Sequence, residues 1–437
     1  MKHGRRWISL LLAALLLLGL AGGTAAAAPG GMDGAAFLAQ LDALGKGADG
    51  TRLVVKTGSN AALGNDFGAL AKAEGYNAWH VLQYADKDAA ARALDQLRRQ
   101  PGVVYVQISQ RVSLIEPFVE TTNGSGEAEP MSWGAPMVQS PEMKRALAGR
   151  ELPDIVIAIL DTGLDFTHPY FEEHADRITG RFAFSHWAQD DYGHGTHVAG
   201  IICDNAPDNV KISPYKVLDG WGYGNDIYIA TAMCAAADDG VDIISMSLGG
   251  PGGSVMDDAV VYAVEKGVAV VASAGNNNWD ASNNSPAGAP LAITVSAVNK
   301  DGTPAFFSNY GAAVDIAAPG GYAALNEETN AINSTTPLFC GSYYQKWAGT
   351  SMSAPFVSAA AAVLKSLYPG YTPADIKYAL KYTARKTQNW DSRYGAGILN
   401  CVGLLNPPEP QPPEPPVVTR SLWQWVLYIF FFGWLWM

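Results

Sequence analysis

The residues of this sequence that could do chemistry together are a serine, a histidine and an aspartate. Ser351 stands in the small-residue string at 349–355, just before an Ala-rich run at 356–367 that predicts a helix. A seryl oxygen is a poor nucleophile until a base takes its proton, and that base needs a group that holds its tautomer. His194 and Asp161 are the candidates for these two roles.

The neighbours of both residues suit that chemistry. His194 lies in the string Gly-His-Gly-Thr-His, and Asp161 directly follows the apolar run at 155–160, which predicts a buried strand. His197 is three residues further along the same predicted helix start, so we interpret it as a packed helix residue and not as a base. A fourth candidate, Asn276, ends a Gly-Asn turn after the apolar run at 268–272.

The order aspartate, histidine, serine, together with the longer strings around each residue, resembles the subtilisin-like serine proteases. This resemblance implies an acyl-enzyme mechanism in which the amide of Asn276 and the backbone N–H of Ser351 stabilise the oxyanion. It also implies two extended segments that bind the backbone of a protein or peptide substrate. These segments map to Gly222, Tyr223, Gly224, Ser247, Leu248 and Gly249.

Each of these residues also has an ordinary structural interpretation. A serine before an Ala-rich run can cap a helix, and an aspartate after a strand can cap a turn. An alternative function is therefore a catalytically silent surface protein that uses the same scaffold for binding. The complete set in the right order favours the enzyme. An α/β-hydrolase esterase would need Gly-x-Ser-x-Gly and the order serine, acid, histidine, and the sequence has neither.

Composition limits the class of protein. With 437 residues, 48% hydrophobic and 16% charged, the chain can bury a large core and should hold more than one domain. The net charge of −12 disfavours nucleic acid as a partner. Strands alternate with helical stretches over 131–405, which predicts an α/β domain with a parallel sheet covered by helices on both faces.

The N-terminus predicts export. Lys2, Arg5 and Arg6 precede an apolar stretch at 7–20, and the alanines at 25–28 offer a cleavage site, so residues 1–28 read as a signal peptide. We expect an extracellular or cell-surface protein. Its four cysteines allow three full pairings, among which the sequence does not choose.

A second module, 29–115, precedes the triad residues. We expect strands at 51–56, 79–84 and 103–108 and helices at 61–74 and 87–99, a small α/β domain of ferredoxin-like type. The family resemblance implies a propeptide that blocks the active site of a zymogen, and an ordinary accessory domain is the alternative. The linker at 116–130, rich in Glu, Thr, Gly and Ser, is where a propeptide could be cut.

The family resemblance raises the question whether this chain has a calcium site. From His194 to Lys216 the chain is several residues shorter than the secreted subtilisins, in the part that corresponds to their tight calcium loop, and Tyr170 replaces an aspartate ligand. We therefore expect that tight site to be absent and no cofactor to be required, although calcium could bind elsewhere.

The C-terminus predicts membrane contact. A Pro-rich spacer over 406–421 leads to residues 422–437, which hold four tryptophans, three phenylalanines and no charge. Aromatic side chains are enriched at membrane interfaces, so this segment is expected to span thinly or to lie in the interface.

Overall fold

The computed structural model describes residues 34–44, 50–58, 62–119, 132–180, 182–183, 188–321, 331–386 and 391–409. The chain forms two compact units, residues 1–110 and 111–437. The predicted signal peptide, most of the linker and the C-terminal segment at 422–437 lie outside the described residues. Within the described residues no helix is both long enough and apolar enough to cross a membrane.

The N-terminal unit has four antiparallel strands and two helices in its described part. In chain order these are α1 (Gly34–Ala43), β1 (Arg52–Thr57), β2 (Ala71–Tyr76), β3 (Trp79–Gln83), α2 (Lys87–Leu97) and β4 (Val103–Ile108). The strand order is β2-β3-β1-β4. Its core, which includes Leu53, Leu82 and Leu97, lies where α2 covers the sheet.

One helix prediction in this unit is wrong. Residues 61–74 were expected to be helical, but 71–76 form β2, which pairs with β3 and buries Ala73 and Tyr76. Before this strand, the side chains of Asn65 and Asp66 accept hydrogen bonds from backbone N–H groups two residues further on. Such bonds compete with the helical pattern, and burial in a sheet then decides the conformation.

The second unit is built on a seven-stranded sheet in the order β16-β15-β13-β11-β7-β9-β8, and every pair in it is parallel. Its strands are β7 (Ile155–Asp161), β8 (Phe182–Ala183), β9 (Val210–Lys216), β11 (Ile243–Met246), β13 (Ala269–Ser273), β15 (Ile293–Val298) and β16 (Ile316–Pro319). The central strands are buried almost throughout, as sheets covered on both faces are.

Helices flank this sheet. They are α3 (Gly134–Val138), α4 (Ser140–Leu147), α5 (Pro169–Glu173), α6 (His194–Asn205), α7 (Asp226–Asp238), α8 (Ser254–Glu265), α9 (Thr350–Leu367) and α10 (Pro373–Thr383). Helix α9 is buried along almost its whole length and packs on α6 and on β11, β13, β15 and β16. The expected α/β fold with a parallel sheet is therefore confirmed.

Two smaller sheets complete the second unit. One has the order β10-β5-β12-β14 and the other β17-β18-β6. Their strands are β5 (Arg111–Leu114), β6 (Phe118–Val119), β10 (Tyr223–Asn225), β12 (Leu248–Pro251), β14 (Asn284–Ser285), β17 (Ile332–Thr335) and β18 (Tyr344–Ala348). Because β5 belongs to this sheet, the second unit begins before residue 115, the expected end of the N-terminal module.

Candidate active site

The predicted site residues meet at one edge of the parallel sheet. Asp161 is the last residue of β7, and Asn276 follows the end of β13. His194 opens α6, and Ser351 lies in the first turn of α9. Open α/β sheets bind their ligands outside the carboxyl ends of the strands, so this is where a site is expected.

His194 and Asp161 form a buried pair. Nδ1 of His194 lies 2.8 Å from Oδ1 of Asp161, and both side chains are fully buried. The same carboxylate oxygen accepts the N–H of Thr162 at 2.7 Å. A carboxylate at Nδ1 holds the proton there, which leaves Nε2 as the basic nitrogen. Nε2 is buried and has no hydrogen-bond partner among the described residues.

The hydroxyl of Ser351 is hydrogen-bonded to the chain's own backbone. Its Oγ donates to the carbonyl of Ile115 at 2.9 Å and lies 3.3 Å from the carbonyl of Ser247. Its proton is therefore directed at a peptide carbonyl and not at Nε2 of His194. In this arrangement the serine is not activated.

Asn276 places its amide beside the same segment. Its Nδ2 donates to the carbonyl of Glu116 at 3.0 Å, while its Oδ1 accepts from Thr350. The amide group thus faces the backbone that crosses the serine. A donor at this place can stabilise negative charge on an oxygen.

Asp190 links the segment after Asp161 to the segment around His194 through hydrogen bonds. It was not among the site residues predicted from the sequence. Its Oδ1 accepts from the hydroxyl of Thr162 and from the N–H groups of Tyr192 and Gly193, at 2.8 to 3.0 Å. Its Oδ2 accepts from Thr196, through both N–H and hydroxyl. The signal was available, because Asp190 lies only three residues before the Gly-His-Gly string.

The substrate-binding segments that were predicted do flank an extended strand. β5 pairs antiparallel with β10 through Gly224 and with β12 through Gly249. The N–H of Leu114 donates to the carbonyl of Gly222 at 2.8 Å, and that of Ile115 donates to Ser247 at 3.4 Å. The predicted residues Tyr223 and Leu248 lie in the same two strands.

The backbone conformation and the close packing at Gly222 both require a glycine. Its φ is +74°, a left-handed conformation that favours glycine. A Cβ there would lie 2.4 Å from Cδ2 of Leu114, which is itself buried, as is Val112 in the same strand. Two apolar side chains of β5 are therefore buried where this strand runs between β10 and β12.

The chain continues past the serine in extended form. Beyond Glu116, β6 pairs antiparallel with β18, with Phe118 opposite Ala348. Residues 111–119 thus cross the whole site, and the carbonyls of Ile115 and Glu116 lie next to Ser351 and Asn276. Sequence reasoning assigned residues 116–119 to a linker and missed this strand.

His197 is a packed residue, as expected. Its ring stacks on Trp347 with centroids 4.8 Å apart, and its Nε2 lies 3.1 Å from the carbonyl of Gln345. Burial lowers the pKa of His197 to about 3. It therefore stays neutral near pH 7, and its Nε2–H donates to Gln345.

The four cysteines, all in the described part of the chain, are free thiols. Cys203, Cys234 and Cys401 are buried, as small apolar residues often are. Near Cys203, at the end of α6, the guanidinium of Arg177 donates to the carbonyls of Cys203 and Val210.

Within the described residues no group of three or more acidic, His or Cys side chains could hold a metal ion.

Comparison with known proteins agrees with this geometry. Residues 153–397 match the subtilase family. The chain belongs to the subtilase family. Subtilisin amylosacchariticus from Bacillus subtilis subsp. amylosacchariticus is 32% identical over 339 residues, which cover 73% of this chain and 81% of that protein. An alkaline protease from Alkalihalobacillus alcalophilus is 34% identical over 309 residues, covering 68% and 74%.

Solved structures give the same result. A protease from Pseudoalteromonas arctica matches with a TM-score of 0.52 and 28% identity, over 58% of this chain and 89% of its own. A cold-adapted subtilisin-like serine proteinase matches with a TM-score of 0.51 and 29% identity, over 62% and 99%. This subtilase is a serine-type endopeptidase whose substrates are proteins or peptides.

Proposed function

We propose that Asp161, His194 and Ser351 are the catalytic triad of this subtilase. Ser351 Oγ attacks the peptide carbonyl while Nε2 of His194 takes its proton and then gives it to the leaving amine. Asp161 holds the tautomer and stabilises the imidazolium. Asn276 and the N–H of Ser351 bind the oxyanion, and water then releases the acyl group. The observation that carries this proposal is the buried 2.8 Å contact between His194 and Asp161.

The test is labelling of the mature protein with a fluorophosphonate, which reacts only with an activated serine. We expect wild type to be labelled and Ser351→Ala to remain unlabelled. If mature wild type were unlabelled, the silent binding protein would be the better interpretation.

We further propose that the chain is exported as a zymogen and that residues 111–119 are its own first substrate. The support is that β5 lies between the substrate-binding strands and that Ser351 Oγ contacts the Ile115 carbonyl. In this function residues 29–115 act as the inhibitory propeptide and 131–405 as the catalytic domain. No nucleic acid takes part.

Backbone pairing selects the Ile115–Glu116 bond for cleavage. The N–H of Ile115 is bound by Ser247, and its carbonyl is the one that Ser351 reaches. The next bond, Glu116–Pro117, would have the ring nitrogen of a proline as its leaving group, and this nitrogen carries no N–H. As the Ile115 carbonyl becomes tetrahedral, its oxygen would take the place beside Asn276 that the Glu116 carbonyl now holds.

The reaction as proposed uses side chains and backbone groups alone and requires no cofactor. We also propose that the tight calcium site of the secreted subtilisins is missing. The support is that backbone carbonyls at the end of α6 already accept hydrogen bonds from basic side chains. The carbonyl of Cys203 accepts from Arg177, and that of Asp204 accepts from Lys144. Unchanged thermal stability of the mature protein in a chelator would agree with this.

The C-terminal segment at 422–437 is proposed as a membrane contact on its composition alone. We expect the full mature chain to fractionate with membranes and a chain ending at Asn406 to be soluble with full activity on small peptides. A full-length mature protein found only in the soluble fraction would contradict this proposal.

A further inference from the structure

A buried lysine lies beside the aspartate of the candidate triad. Lys216 is the last residue of β9, and in the parallel pairing of β9 with β7 it is the partner of Asp161. Its side chain is almost completely buried. Lysine is rarely buried unless its ammonium group is paired, because removing the charge from water is costly. The contacts of this ammonium group therefore have to compensate for its loss of water.

The ammonium group of Lys216 joins the segments that carry Asp161 and His194. Its Nζ donates to the backbone carbonyl of Thr162, the residue after Asp161, at 2.5 Å. It also donates to Oδ1 of Asp191 at 2.5 Å. Asp191 lies three residues before His194, in the loop that leads into α6. One side chain thus holds both segments, and hydrogen bonds that involve charged groups are the short and strong ones.

The residues after Lys216 hold the backbone of Asp161 from the same strand. The N–H groups of Val217 and Leu218 both donate to the carbonyl of Asp161, at 2.9 and 3.2 Å. The N–H of Thr162 in turn donates to Oδ1 of the Asp161 carboxylate. The end of β9 therefore fixes the backbone around Asp161, and the side chain of Lys216 extends this support to the loop before α6.

Stability alone is a weak reason for this arrangement. The side chain of Asp191 is 58% exposed, so water screens its attraction to Lys216. An ion pair with so exposed a partner returns little of the cost of burying a lysine. The place of the pair is more informative, because β9, the segment after Asp161 and the loop before α6 all meet there.

We infer that Lys216 is a positioning residue for the triad, acting through Asp191 and the carbonyl of Thr162. The contact between His194 and Asp161 joins two separate segments of the chain, and it has to be in place when the imidazolium forms. Lys216 keeps the two segments in register and is not itself a reacting group. The inference rests on the proposed function, because it assigns Lys216 to the geometry of that triad.

The test is the kinetics of mature Lys216→Met, which keeps the length of the side chain and removes its charge. The substrate is a chromogenic amide, Val-Ser-Leu-Ile-p-nitroanilide, which copies residues 112–115. Each rate is divided by the amount of serine that a fluorophosphonate labels, so that unfolded protein is not counted. We expect kcat to fall about tenfold while KM stays within about twofold of the wild-type value.

Two further variants locate the effect. Asp191→Asn removes the other charge at an exposed position, where folding should tolerate the change, and keeps the shape of a side chain that lies close to Gly220. It should lower kcat by a smaller factor, and the double variant should be no slower than Lys216→Met alone, because both residues act through one contact. The matched control is Lys211→Met. Lys211 lies on the same strand, 3.8 Å from the exposed Asp176, and its loss should leave kcat unchanged.

The outcomes are distinguishable. Wild-type kcat per labelled serine in Lys216→Met and Asp191→Asn would overturn the inference while the proposed function stands, and so would a change in KM alone. An equal fall in Lys211→Met would also overturn it, since the effect would then come from any charge on β9. If Lys216→Met does not fold, Asp191→Asn decides between these results. If mature wild type is neither labelled nor able to cleave the amide, the proposed function fails and the inference fails with it.

Discussion

Thr350 fixes the orientation of Asn276. Its backbone N–H and its hydroxyl both donate to Oδ1 of Asn276, each at 2.9 Å. A backbone N–H can only donate, so the oxygen of the amide must lie on the Thr350 side and the NH₂ group must face the cleft. In the proposed mechanism Thr350 therefore acts on the oxyanion through Asn276 and is a positioning residue.

The first prediction separates these two residues. Asn276→Ala removes the donor, and loss of the corresponding donor in subtilisin lowers kcat by about two to three powers of ten. Thr350→Val removes one of the two orienting bonds, so we expect a smaller fall in kcat, about tenfold, with KM nearly unchanged. Thr350→Ser should recover most of the activity. Steady-state kinetics on the chromogenic amide, Val-Ser-Leu-Ile-p-nitroanilide, measures both constants. A rise in KM for Thr350→Val as large as the fall in kcat would contradict a positioning role.

The second prediction concerns the triad as a unit. Ser351→Ala and His194→Ala should each remove nearly all peptidase activity, because the nucleophile is useless without its base. The double variant should be little worse than either single variant. Protein absorbance gives the concentration of each variant, because an active-site titrant reacts with Ser351 itself and cannot count the Ser351→Ala proteins. Losses that multiplied in the double variant would mean that the two residues act independently.

The third prediction concerns maturation. Wild type should acquire a new N-terminus at Glu116, because Ile115 is held by Ser247 and its carbonyl faces Ser351. Ser351→Ala should keep residues from about Pro29 onward attached. N-terminal sequencing of both purified proteins makes the comparison. Wild-type processing in the Ser351→Ala protein would show that another protease makes the cut.

The fourth prediction is a dependence of stability on pH that comes from His197. Burial holds the pKa of His197 at about 3, below its ordinary value of 6.5. The unfolded chain therefore binds a proton below pH 6.5 that the folded protein does not bind. The stability due to neutral His197 is complete above that pH and is lost as the pH falls toward 3.

His197→Gln keeps a donor for the carbonyl of Gln345 and removes the titration. From about pH 8 to about pH 5, wild type should lose about 2 kcal/mol more of its free energy of unfolding than this variant. Urea denaturation in the Ser351→Ala background avoids self-digestion. Equal losses in the two proteins would mean that His197 titrates normally in the folded state.

Much of the candidate site could be predicted from the sequence because its signals are local. Asp161 ends an apolar strand, and Ser351 and His194 lie at the starts of helices. The secondary structure around each residue can therefore be predicted from its own neighbours in the sequence. The parallel sheet followed from the alternation of strands and helices in the same way. The prediction of a helix at 61–74 was wrong because the same apolar pattern is also compatible with a strand. Pairing of residues 71–76 with β3 decided in favour of the strand.

The sequence by itself determined the family, the types of the candidate reacting groups, and the strand and helices that carry Asp161, His194 and Ser351. Only the tertiary structure decided which atoms meet: Nδ1 of His194 with Asp161, Ser351 Oγ with Ile115, and Phe118 with Phe307. These partners are far apart in the chain, and their contacts form only when the whole sheet is buried and its edges are paired. Local periodicity reports which face of an element is apolar, but not which distant segment covers it.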